Sequence, residues 1–365
     1  MSREVAHALT LEGPRQLAER QVPLPEIGDD DGVLRVEACG LCGTDHELWT
    51  GTLPGPYPFV PGHESVGVVE AVGPKAAERW GVHVGDRVAV EVMLSCGECD
   101  KCVAGDYRLC RRHGLADMYG LVSLDKSPGL WGGYATHQYL SPDSMLLPVP
   151  PVLDPAVATL FNPLGAGIRW GVTVPGTKEG DVVAVLGPGV RGLSTLAAVK
   201  EAGASFVMVT GVSPGDDERL ALAKEFGADL AVDVRSTDPA KALRRATGGG
   251  ADVVVDVTAK APAALGQAMN IARAGGTVVV AGTRGSADTP GFWPDLIVFK
   301  ELRILGALGV DAPDYRAALE LLASGRYPFA DLPRRSASLS EADDLLRVMA
   351  GESDEIPPVH GVVTP

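Results

Sequence analysis

Residues 181–203 read DVVAVLGPGVRGLSTLAAVKEAG, and no other stretch of the 365-residue chain constrains the fold as tightly. The opening DVVAVL is an apolar run of strand length. GPGVRG (187–192) follows directly, and then a helical segment that ends in glycine. A lone G-x-G-x-x-G says little, but between a buried strand and a helix it marks a turn built for a dinucleotide pyrophosphate. Gly187 makes the tight turn, Gly189 lets the backbone approach the anion, Val190 opens the helix, and Gly192 lets helix and strand pack closely. The anion then meets N–H groups at the positive end of a helix dipole. The plainer alternative is an ordinary glycine turn.

The alternation continues with SFVMVT (205–210), DDERLALAKEFGA (216–228), LAVDV (230–234), DVVVDVT (252–258), AALGQAMNIARAGG (263–276) and TVVVAGT (277–283). Apolar strands separated by helices imply a parallel sheet covered on both faces, a doubly wound α/β fold. The chain before this is different. VLRVEACG (33–40), SVGVVEAVG (65–73) and DRVAVEV (86–92) are short β-branched runs bounded by Gly, Pro or Asp, so residues 1–155 read as mostly β. SPDSMLLPVPPVLDP (141–155) looks like a crossing between domains, and 154–172 reads as one helix capped by Asp154. Helices at 315–325 and 340–351 precede short extended pieces at the end.

An acid at the end of the second strand of such a sheet binds the adenosine ribose. Here Thr210 or Gly211 holds that position. Losing the acid opens room for NADP, but no basic residue lies between Thr210 and Glu218, and Asp216 or Asp217 can swing toward a ribose hydroxyl. NAD is therefore the expected cofactor, with NADP as the alternative through a more distant cation such as Arg219.

Four of the six cysteines crowd into CGECDKCVAGDYRLC, residues 96–110. A disulfide knot suits small secreted domains, not a chain with this much core. The start, MSREVAHALTLEG, has no apolar run of export-signal length, so a reducing, cytoplasmic setting is expected. Cys96, Cys99, Cys102 and Cys110 supply four thiolates at about 2.3 Å from a tetrahedral ion, a closed structural zinc shell. An iron–sulfur cluster accepts the same donors, but nothing else suggests electron transfer. The net charge of −15 argues against nucleic acid and anionic membranes as partners. No apolar run approaches the length of a bilayer span.

CGLCGTDHELWTGTLPGPYPFVPGHESVGVV (39–69) holds Cys42 and His63, with Asp45 and Glu64 beside them. A cysteine and a histidine with an incomplete protein shell suit an open, catalytic zinc. The plainer reading is a buried thiol and a turn histidine.

With CGLCGTD, GHESVGVV, GDRVAV, the four-cysteine lobe, GGYATHQYL, GPGVRG and FKELRILG in this order, the chain resembles the zinc-dependent medium-chain dehydrogenases, which include alcohol, sorbitol, threonine and glucose dehydrogenases. The resemblance implies a GroES-like catalytic domain (1–155, zinc lobe 95–112), a Rossmann domain (156–300), a return to the catalytic domain (301–365), and an active site in the cleft. It implies that Cys42 and His63 bind catalytic zinc, that Glu64 stands beside or on the metal, that Asp45 holds the His63 ring, and that Thr44 touches the substrate hydroxyl. Cys39 matches no ligand and is assigned to packing. Two departures stand out. The usual relay histidine is replaced by Glu47, with His46 before it, and the third-ligand position falls on Asn162 of LFNPLGAG. Trp49 matches a pocket aromatic in some relatives, with core packing as the alternative.

The implied activity is hydride transfer between a secondary alcohol or polyol and NAD(P), in a homodimer or homotetramer joined through its Rossmann domains. The rival readings are a zinc-independent reductase on the same fold and a non-catalytic relative that lost its metal.

Overall fold

A computed structural model describes residues 4–115, 117–285 and 287–365. The chain forms two compact units. One runs to Asn162 and resumes at Asp311; the other is Pro163–Val310.

The second unit is a six-stranded parallel sheet. Its strands lie in the order Leu230–Asp233, Phe206–Gly211, Val182–Leu186, Ala251–Asp256, Ala272–Val280, Arg303–Gly306. Numbered along the unit this is 3-2-1-4-5-6, the Rossmann order. The central strands are buried on both faces: Val183, Ala184, Val185, Val207, Met208, Val209, Val254 and Val255 are fully enclosed. This is why their sequences show no alternation. The sixth strand departs from the expected boundary at residue 300. Thr277 to Val280 pair with Arg303 to Gly306, so FKELRILG supplies a sheet strand and the chain returns to the first unit at Asp311.

The first unit is built on antiparallel strands. Gly32–Leu41 is its centre, hydrogen-bonded to Glu64–Val72, His137–Leu140 and the terminal His360–Val363. Arg334–Ala337 adds a parallel neighbour to that last strand. The final extended pieces thus complete the same sheet as the first hundred residues. Leu34, Val36, Val69, Val88, Leu140 and Val363 form its core with Phe59, Tyr134 and Trp49.

The single helix expected over 154–172 is broken. Pro155–Ala158 is capped by Asp154, whose carboxylate accepts the Ala156 N–H at 2.9 Å. A second helix runs Phe161–Ile168, and a π-turn spans Arg169–Thr173. Pro163 explains the interruption, because it has no N–H to offer the carbonyl of Thr159.

Candidate active site and metal centres

The antiparallel register Gly40↔Glu64 brings two distant stretches together. The first strand ends at Leu41, and Cys42 caps the helix Gly43–Thr50. His63 stands just before the second strand, and Glu64 begins it. Cys42, His63 and Glu64 are all buried, and each offers a ligand atom within 4.8 Å of the others. Gly40 makes room for this. A β-carbon there would run into the Glu64 carboxylate.

The helix cap orients the set. Asp45 Oδ2 accepts the Cys42 N–H at 2.9 Å, and Thr44 Oγ1 lies 3.8 Å from Cys42 Sγ. Asp45 Oδ1 is 3.7 Å from His63 Nδ1, and both atoms are buried with no hydrogen-bond partner among the described residues. Burial pushes the Asp45 carboxyl up to about 6, aided by Cys42 and opposed by His63. Burial pulls the His63 imidazole down, but Asp45, Cys42 and Glu64 outweigh it and raise the ring to about 9. The pocket's anionic groups favour positive charge. A thiol, an imidazole and a carboxylate around one point, with orphaned atoms behind them, fit an open zinc shell.

The remaining sequence candidates make contacts of their own. Asn162 is buried on the helix Phe161–Ile168, and its Nδ2 donates to Tyr315 Oη at 3.1 Å. Trp49 is 1% exposed in the core, and its Nε1 donates to Asp343 at 3.0 Å. This is the packing alternative, not a pocket wall. His46 Nε2 lies 3.6 Å from Glu352 Oε1. Cys39 is fully buried beside Ser65, and burial drives its thiol far up, as in an inert packing residue.

In the lobe, Cys96, Cys99, Cys102 and Cys110 again converge within 4.8 Å. Cys96 Sγ and Cys102 Sγ are 3.8 Å apart, the edge length of a tetrahedron with arms of about 2.3 Å. No disulfide joins any of the six cysteines. Backbone N–H groups of Arg111 and Cys102 draw the Cys99 thiol down to about 6. Gly97 and Gly105 sit at φ +72° and +85°, the left-handed region that tight wrapping requires. Sequence reasoning missed the lobe's anchor. Tyr107 Oη donates to the fully buried Glu91 carboxylate at 2.8 Å, and Arg108 Nη1 reaches both oxygens of Asp311 at 2.9 Å. The available signal was an acid inside the apolar strand run DRVAVEV.

In the second unit Gly187 has φ +103°, and a β-carbon on Gly192 would strike the Gly187 carbonyl. Gly189 caps the helix Val190–Glu201 and faces open space. The turn borders a cavity of about 490 Å³ that Thr210 and Gly211 also line. The residues fit a dinucleotide: a helix that starts at the turn, no side chain at Gly189 to block it, and room alongside.

A Rossmann sheet with an open glycine turn, joined to a β-rich unit carrying a Cys–His–carboxylate set and a four-cysteine lobe, defines a zinc- and nicotinamide-dependent oxidoreductase. Comparison with known proteins agrees. Residues 28–151 match the alcohol dehydrogenase GroES-like domain, and residues 192–324 match the zinc-binding dehydrogenase family. The chain is 68% identical over 362 residues to "Probable alcohol dehydrogenase adh" of Mycobacterium tuberculosis (strain ATCC 25618 / H37Rv), covering 99% of each. It is 30% identical to the erythritol/L-threitol dehydrogenase of Mycolicibacterium smegmatis, covering 97% of this chain and 96% of that one. A zinc-binding dehydrogenase structure from Sinorhizobium meliloti 1021, bound to NADP, superposes with a TM-score of 0.84 at 31% identity over the whole of both chains. The chain belongs to the zinc-dependent medium-chain dehydrogenases. It is an alcohol dehydrogenase that uses zinc and NAD(P), and nothing in these comparisons favours the zinc-independent or non-catalytic readings.

Proposed function

We propose that the protein oxidises secondary alcohols or polyols, and reduces the matching carbonyls, at the Cys42–His63–Glu64 centre. The observation that carries this reading is the convergence of three buried donor atoms within 4.8 Å on a helix cap and a strand start. Cys42, His63 and Glu64 hold the metal, and the four lobe cysteines hold a second, structural ion. Zinc at the first site supplies Lewis-acid activation of a hydroxyl oxygen. The nicotinamide supplies the hydride acceptor.

The chain's own groups do the rest. Thr44, in the first turn of the helix, receives the hydroxyl proton and passes it outward. Asp45 keeps the His63 ring oriented from its Nδ1 side, as carboxylates behind metal-bound histidines do. Glu64 takes the third-donor role for which Asn162 is the alternative, and Tyr315 fixes the Asn162 amide. Gly187, Gly189, Val190 and Gly192 receive the pyrophosphate. The polyol class is supported by the M. smegmatis relative, named for erythritol and L-threitol.

No helix among the described residues is long and apolar enough to cross a membrane. Reduced thiols in both metal sites suit a cytoplasmic enzyme. Homo-oligomerisation is supported by the edge strand Arg303–Gly306, flanked by exposed Val298, Phe299 and Leu308.

The deciding experiment is a screen of secondary alcohols and polyols with NAD and NADP, read as reduced nicotinamide absorbance, beside Cys42→Ala and His63→Ala. Turnover that disappears in both variants supports the reading. Turnover unchanged in either overturns the assigned centre.

A further inference from the structure

We propose that Asp216 takes the place of the acid missing from the end of the second Rossmann strand and makes the cofactor pocket select NAD(H) over NADP(H). The inference rests on GPGVRG being the pyrophosphate turn.

Gly211 is the last residue of that strand, and the Gly187 N–H donates to the neighbouring Thr210 carbonyl at 3.1 Å. The strand end therefore lies beside the turn, where a ribose-binding acid belongs. Residue 211 itself is closely hemmed in. A β-carbon there would stand 3.0 Å from Pro188 Cγ and 3.0 Å from Asp216 Cβ. Part of what crowds that position is another carboxylate. Asp216 Oδ2 lies 3.2 Å from that β-carbon position, so the acid is supplied from five residues further along.

Asp216 is held in place. Its Oδ2 accepts the Val212 N–H at 2.9 Å, and its own N–H donates to the Val212 carbonyl at 3.2 Å, closing the 212–216 loop on itself. Its side chain is 20% exposed and lines the same cavity as Gly187 and Gly189. A carboxylate there accepts hydrogen bonds from ribose hydroxyls and repels a 2′-phosphate. Arg219, the cation that would welcome that phosphate, lies with Nη1 3.5 Å from Asp216 Oδ1. Arg191, which also lines the cavity, sits in the glycine turn with its guanidinium 5.0 Å from the Trp170 ring. The Sinorhizobium meliloti relative is bound to NADP, so the choice in this chain falls to side chains rather than to the fold.

The test is direct binding of NADH and NADPH by fluorescence titration, with no alcohol present. The wild type binds NADH tighter than NADPH by roughly tenfold or more, the size of one close charge–charge repulsion. Asp216→Asn keeps the acceptor for the Val212 N–H, removes the charge, and shrinks that ratio by about the same factor, chiefly by tightening NADPH. Arg219→Ala removes the contact to Asp216 Oδ1 but keeps the Val212 N–H bond to Oδ2, and preserves the preference for NADH. Equal or tighter NADPH binding by the wild type overturns the proposal, as does an unchanged ratio in Asp216→Asn. Binding of neither nucleotide overturns the reading of the turn and this proposal together, whereas binding of both equally overturns only the role of Asp216.

Discussion

Gly40 and Glu64 pair across antiparallel strands, and the Glu64 carboxylate occupies the space that a β-carbon on residue 40 would need. The third candidate zinc donor is thus seated by an absence of side chain on the opposite strand. Gly40→Ala forces Glu64 away. Metal affinity at the catalytic site should fall roughly 10–100-fold, comparable to the loss of a supporting contact. Metal analysis after mild chelation should find that site emptied while the four-cysteine site stays loaded.

Cys99 should carry the lobe's stability. Its thiolate is favoured by backbone donors before any metal arrives, and metal-binding energy is folding energy at such a site. Cys99→Ala is expected to cost on the order of 3 kcal/mol, in the range of losing a structural metal. Tm should drop by roughly 6–12 °C. A variant with full zinc content and an unchanged Tm would refute the assignment.

Glu91 predicts a pH dependence. Burial pushes its carboxyl up to about 8, against the pull of the Met93 N–H and the Tyr107 hydroxyl. Because the folded value is raised above the unfolded one, the folded state holds a proton that the unfolded chain has released between these two values. Its contribution to stability is fully present in acid below the ordinary glutamate range and is lost as pH rises through about 8. Glu91→Gln removes this titration and keeps an acceptor for Tyr107. Urea melts across that interval should show a flatter stability profile for the variant than for the wild type.

Asp256 and Arg284 form an ion pair with 0% and 8% side-chain exposure. Arg284 also donates to the Ala261 and Gly282 carbonyls, and Asp256 accepts from Thr258, so the pair ties together loops after the fourth and fifth Rossmann strands. Arg284→Met leaves a buried carboxylate uncompensated, at a cost of about 3–5 kcal/mol. Adding Asp256→Asn should recover part of that loss, measured by thermal melts of the single and double variants.

The edge strand Arg303–Gly306 should join subunits. Ile304 is 37% exposed, and Val298 and Phe299, a few residues earlier in the chain, are more exposed still. Ile304→Lys places a charge on that edge and should shift the protein toward monomer in light scattering. A wild type already monomeric at micromolar concentration would remove the basis for this expectation.

Local sequence determined much of this protein. The βα rhythm and GPGVRG carried the Rossmann unit, because buried parallel strands must be apolar throughout and a pyrophosphate turn must be glycine-rich. The four-cysteine spacing carried the convergence of the lobe's thiols, because they lie close in the chain and need only a short wrap to meet. Tertiary structure decided what depends on distant pairing. Whether Cys42 meets Glu64 follows from the register of two strands, and that Trp49 packs on Asp343 follows from a tail that returns some three hundred residues later. Asp216 reaches the space beside Gly211 only because a loop folds back, and Arg303–Gly306 belongs to the sheet only because its backbone finds an open edge. Spacing along the chain records local geometry, whereas long-range contacts are chosen by the packing of whole elements, which no short stretch of sequence contains.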